Sequence, residues 1–174
     1  LIIVAQTSNL REFQESILAK LKEASHQVGA EYTSRLGVSV GGKRFLINLS
    51  DVREVLPVPP LQLVPLTKPW FLGVSNVRGN LYNVTDLAQF MRMPPTAKSI
   101  NNRILLLSTE STMQVALLVD SLIGLRNIQS MQLTPSSKIS EVYGLNAYAD
   151  ADGNDWIELD VETLVQDSDF VQPI

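Results

Sequence analysis

Hydrophobic residues near the start of the chain fall at Leu10, Phe13, Ile17, Leu21, Ala24 and Val28, in alternating steps of three and four. That spacing lays them along one stripe of a helix. Ser8 or Asn9 can cap its start, and Gly29 closes it, since glycine takes the left-handed conformation without a Cβ clash. An amphipathic helix over residues 8–29 is predicted. Its stripe either packs on the rest of the chain or forms a short coiled-coil seam with a partner.

Beyond the helix the period changes to two. Leu36, Val38 and Val40 alternate with small or polar residues, Gly41-Gly42 supplies a turn, and Phe45, Ile47 and Leu49 resume the alternation, which predicts a hairpin. Residues 52–56, VREVL, read as a helical turn or as the start of a strand. Five prolines fall from Pro57 to Pro69 inclusive, and proline cannot donate to a strand ladder, so this stretch is loop or sheet edge. Two strands, 74–78 and 81–85, flank a Gly79-Asn80 turn, and Asp86 caps a short helix carrying Leu87, Phe90 and Met91. A polar, Pro-bearing linker around 94–102 precedes a second hairpin, 104–107 with 113–119, whose run ILLL predicts burial on both faces. Further strands are expected at 123–128, 141–149 and 156–159, the last two around an Asp152-Gly153 turn. The sum is an all-β chain with an N-terminal helix. Its strands are expected in two small barrels, one over 34–93 and one over 101–166, with strands free to cross between them.

Composition narrows what such a chain does. With a net charge of -4 and 18% charged residues in 174, it lacks the basic footprint that nucleic-acid phosphates or anionic lipid require. No cysteine is present, which removes disulfides and thiolate metal sites and fits a reducing compartment such as the cytoplasm. The sole histidine, His26, lies off the apolar stripe of the predicted helix, so no Ser/His/Asp or metal constellation can be built on it. Asp150, Asp152, Asp155, Glu158 and Asp160 form an acidic cluster, but its glycine and glutamate miss the spacing of a calcium loop, and a hairpin turn is expected. Gly41-Gly42-Lys43 lacks the rest of a phosphate-binding loop. The sequence reads as a binding module without catalytic residues, metal or cofactor.

One cation, Arg78, stands inside an otherwise uncharged run from Gly73 to Thr85. Asn76-Val77-Arg78-Gly79 matches an Asn-Leu-Arg-Gly motif, followed in order by Asp86-Leu87, Val119-Asp120 and Leu159-Asp160. With these elements, residues 35–165 resemble the CheW-like family, adaptors of bacterial chemosensory arrays. The phrase KPWFLGVSNVRGNL and the added N-terminal helix are more similar to the family's type IV pilus (twitching motility) branch than to its flagellar branch. The resemblance implies two five-stranded SH3-like β-barrels with a hydrophobic groove between them. It implies a non-enzymatic scaffold in the cytoplasm, membrane-associated only through the receptor array. Its partners would be the cytoplasmic tip of a methyl-accepting chemoreceptor and the regulatory domain of a CheA-type histidine kinase.

It also implies that Arg78, Glu54, Asn76, Val77 and Gly79 contact the receptor, with Arg78 paired to Glu54 on the surface. Val52, Val55, Val74 and Leu81 are expected to offer apolar contacts to the kinase and along the groove. Two other readings stay open: a regulatory CheW-like domain cut from a larger kinase or receiver-fused protein, and an ion-binding β-protein using the acidic cluster.

Overall fold

The computed structural model describes residues 18–23, 33–108, 113–136 and 142–174. His26 and most of the helix predicted over 8–29 lie outside the described residues. Residues 18–23 are helical and are called α1 here. Then come β1 (Ser34–Val40), β2 (Lys43–Asn48), a 3-10 turn at Leu49–Asp51, β3 (Val52–Pro57), β4 (Phe71–Val77), β5 (Asn80–Asp86) and α2 (Leu87–Phe90). After the linker follow β6 (Arg103–Leu107), β7 (Val115–Val119), β8 (Ser121–Asn127), β9 (Gln132–Thr134), β10 (Gly144–Ala149), β11 (Asp155–Leu159), α3 (Val161–Gln166) and α4 (Ser168–Val171). The ambiguous VREVL segment is strand, and β9, α3 and α4 were not anticipated.

The strands form two mixed sheets, ordered β8-β1-β2-β11-β10-β9 and β3-β6-β7-β5-β4. All pairings are antiparallel except β11 with β2 and β5 with β7. With the short edge strand β9 set aside, each sheet is one strand, a hairpin, and a second hairpin joined to the first through a single parallel pair. The second sheet runs through β3 to β7 consecutively, whereas the first takes β1 and β2 from the start of the chain and the rest from its end. One sheet is therefore a circular permutation of the other. The linker at 94–102 does not separate them: residues 34–93 and 101–166 each give strands to both sheets.

Strand periodicity explains three cores. In β6, Ile104 and Leu106 face one way with Leu56, Val77, Tyr82, Val84, Ala116 and Leu118. Leu105 and Leu107 face the other way, into the large cluster shared with Leu36, Val38, Phe45 and Ile47 of the first sheet. The expected two-sided burial of ILLL is thus realised. In β2 the same division sends Phe45 and Ile47 to the shared core and Leu46 to Tyr148 and Trp156 on the far face. Each buried leucine or isoleucine contributes about 1.5–3 kcal/mol, so β6 alone outweighs any surface ion pair at about 0.2–1 kcal/mol.

The second sheet must also be rolled up. Its edge strands are β3 and β4, yet Leu56 of β3 and Val77 of β4 share one core cluster. The five-proline stretch lies on the outer edge of β4, where Gln62 and Val74 exchange two backbone hydrogen bonds of 2.8 and 2.9 Å. The helices close the open ends: Phe170 of α4 is buried in the shared core and meets Phe90 of α2 edge to face at 5.1 Å.

Candidate protein-docking site

The site is assembled where the edges of the rolled sheet meet. Arg78 and Gly79 are the two residues between β4 and β5, with φ of 50° and 84°. The turn is therefore Arg78-Gly79, one residue earlier than Gly79-Asn80. Positive φ at both positions is the signature of a type I′ turn, whose twist matches that of the flanking strands. Asn76 fixes this turn through its side-chain Oδ1, which accepts the Gly79 N–H at 2.8 Å. Glycine tolerates the conformation; for arginine it costs roughly 1–2 kcal/mol.

Arg78 is held there by Glu54. Its Nη1 donates to Glu54 Oε2 at 2.9 Å, and Nη2 bonds Oε1 in a two-pronged pair. The pair joins the opposite edges β3 and β4 of the sheet and acts as a clasp on the barrel. It is not the solvated pair expected: the Glu54 side chain is 10% exposed and that of Arg78 48%. A carboxylate so desolvated needs its partner, while about half of the Arg78 side chain stays open to solvent.

Arg78, Glu54, Asn76, Val77 and Gly79 are thus brought together, with Val77 buried beneath the turn. The apolar set is not. Leu81 is 64% exposed and pairs with Asn76 across β4 and β5, while half-buried Val74 pairs with Asn83. Val52 and Val55 sit in the shared core at 0% and 5% exposure. The cause is a register shift between Val52 and Glu54: a bulge at Arg53 turns the two valines to one face and Glu54 to the other. Nothing in VREVL signals that bulge.

A cleft of about 420 Å³ opens between the sheets, lined by Leu18 and Leu21 of α1, Val55 of β3, Arg103 of β6 and Leu122 of β8. Lys22 of α1 donates to the Val52 carbonyl at 2.7 Å, and burial lowers its pKa. Leu18, off the stripe read from the sequence, is 4% exposed.

The other acidic residues have separate work. Asp86 Oδ1 accepts from Ala88 N at 3.1 Å and Thr96 Oγ1 at 2.7 Å, and Oδ2 from Thr96 N at 2.9 Å, which caps α2 and pins the linker. Asp160, at the equivalent strand end in the other sheet, caps α3 through Thr163 N at 3.0 Å. Asp120 Oδ2 receives Gly42 N at 3.4 Å. Asp150 accepts from Trp156 Nε1 at 2.9 Å and Asn154 N at 2.8 Å inside the β10–β11 turn, while buried Glu158 lies 3.5 Å from Arg35 Nε. Asp150, Glu158 and Asp160 of the acidic cluster are thus drawn into separate contacts; among the described residues no three His, Cys, Asp or Glu gather as metal ligands. No described helix is long and apolar enough to cross a membrane.

The site thus stands on one of two sheets whose five-strand cores are circular permutations of each other, clasped by an Arg-Glu pair at its hairpin. Residues 35–169 match the CheW-like domain family, and the chain belongs to it. Among curated proteins it is 30% identical over 115 residues to Protein PilI of Pseudomonas aeruginosa, covering 64% of each chain. It is 28% identical over 101 residues to the Probable chemotaxis protein CheW of Rhizobium etli, covering 58% of this chain and 64% of that one. It is 24% identical to Chemotaxis protein CheV3 of Helicobacter pylori, over 76% of this chain and 40% of the relative. The chain thus spans 64% or less of the length of these relatives. The scaffolding protein TtCheW from Thermoanaerobacter tengcongensis shares the fold, with a TM-score of 0.66 at 20% identity over 78% of this chain and 89% of that one.

Proposed function

We propose that the chain is a non-enzymatic adaptor that couples the cytoplasmic helical hairpin of a methyl-accepting chemoreceptor to a CheA-type histidine kinase, in a pathway controlling type IV pili. The observation that carries the reading is the half-exposed Arg78 guanidinium, held at a strained turn by a buried carboxylate. Such a group is preorganised to meet a partner's carboxylate or helix-end carbonyl without paying to order itself. Leu81 and Val74 on the neighbouring strand faces supply apolar contact. The similarity to PilI supports the pilus branch, and the adaptor works in the cytoplasm beneath the receptor.

The test is Arg78→Lys, which keeps the charge but loses the planar fork. Co-sedimentation with receptor-bearing membranes should fall at least ten-fold while the far-UV spectrum is unchanged. Leu81→Glu, on an exposed position, should weaken capture of the kinase regulatory domain. Wild-type binding by both folded variants would retire the assignment. A second reading, a CheW-like domain within a longer chain, is favoured by the match to CheV3, which takes up only 40% of that protein; the length of the full reading frame separates the two.

A further inference from the structure

The cleft between the sheets already holds a helix. Leu18 is buried in the shared core, Leu21 packs against it, and Lys22 bonds the carbonyl of Val52 on an edge strand. Beside the two leucines the cleft stays open, with a volume of about 420 Å³, in the range of ligand pockets. The ammonium of Lys22 is desolvated there, and returning it to water offsets part of what its hydrogen bond contributes. Seated there, the described turn of α1 lies against the side of β3 that carries Val52 and Val55.

We propose that α1 is a removable cover: it occupies in cis the seat of a partner's amphipathic helix, and leaves when that helix docks. The incoming helix has the chemistry of the resident one, apolar residues three apart followed by a cation that can reach the Val52 carbonyl. This step rests on the adaptor reading for the identity of the partner, though the existence of the cover does not. Val52 and Val55, buried while α1 is seated, are the surface that its departure uncovers. A cover closed about nine-tenths of the time weakens the partner's apparent affinity about ten-fold.

The test uses the full chain and a synthetic peptide of residues 8–29. Leu18→Ser/Leu21→Ser opens the cleft, and this variant should bind the peptide at least about ten-fold more tightly than the wild type. Equal binding, or none by a folded variant, overturns the proposal. If the double variant does not fold, Lys22→Ala takes its place, leaving both leucines in the core; peptide binding should still rise several-fold, and no rise overturns the cover. A helical-hairpin fragment of a methyl-accepting receptor is titrated in parallel and should bind the opened variant about ten-fold tighter. Gain of peptide binding with no receptor binding by any form keeps the cover and sinks the receptor reading. Receptor binding indifferent to the substitutions keeps the adaptor and sinks the cover.

Discussion

At Arg78 the backbone and the side chain pull in opposite directions. A positive φ of 50° opposes the residue, and the two bonds to Glu54 retain it. Because Glu54 is the buried member, Arg78→Ala strands a carboxylate in the mouth of the barrel. The expected loss is about 1–3 kcal/mol, or a fall in Tm of about 2–4 °C for each kcal/mol. Arg78→Glu should be worse, since it sets two carboxylates together. Adding Glu54→Gln to Arg78→Ala should recover part of the loss, because the stranded group is then neutral, and urea unfolding of the four-member cycle measures it. Identical midpoints for wild type and Arg78→Ala would mean the clasp holds nothing. Asp150 provides a pH signature. Its pKa falls from 3.8 to about 2, chiefly through the Trp156 indole N–H and then the Asn154 backbone N–H. A depressed carboxylate stabilises the fold above its unfolded pKa and loses that contribution as pH falls from about 4 to about 2. The stability gap between wild type and Asp150→Asn should therefore be widest near neutrality and close toward pH 2; a gap independent of pH would contradict it.

Among the elements, the Pro-rich segment shows where periodicity stops being informative. Hairpins with clean alternation, such as Leu36 to Leu49, were legible, because a one-residue slip would carry every apolar side chain out of the core. The prolines correctly announced an edge, but not that Gln62 would bridge Val74 across it, since that contact joins residues with no shared pattern. Gly73 is what lets the segment approach: its φ is 131°, and a Cβ there would run into the Gln62 carbonyl. Gly73→Ala should push residues 57–70 off β4 and leave an open strand edge, which invites pairing between copies. The expected outcome is a lower Tm with concentration-dependent light scattering; a variant as stable and monodisperse as the wild type would show that the close approach is dispensable. The site followed the same division. The pairing of Arg78 with Glu54 was legible only through the family resemblance, whereas the bulge that separates Glu54 from Val52 and Val55 is a backbone event that leaves no mark on residue types.

For the molecule as a whole, the sequence offered a linker at 94–102 and invited division into consecutive halves. The structure interleaves them: β1 and β2 complete the sheet built by β8 to β11, and β6 and β7 complete the one begun by β3 to β5. Pairings between distant strands cannot be inferred from local alternation, because period two fixes which face a residue takes and says nothing about its neighbour. A break in the linker therefore cuts a loop and no sheet. Asp86 holds the linker's start through Thr96, and Asn102 Nδ2 bonds the Ala97 carbonyl at 3.0 Å, but Ser99 and Ile100 are exposed, Ile100 at 92%. A protease site inserted between Ser99 and Ile100 should be cut in the native protein. The two fragments should then co-elute in native gel filtration with the far-UV spectrum intact, because each sheet contains strands from both. Under urea they should lose near- and far-UV signals in one coincident transition, since the large core is shared between the sheets. Fragments that part without denaturant, each keeping its own spectrum, would mean that the consecutive halves fold alone and that the interleaved sheets are not what holds the molecule together.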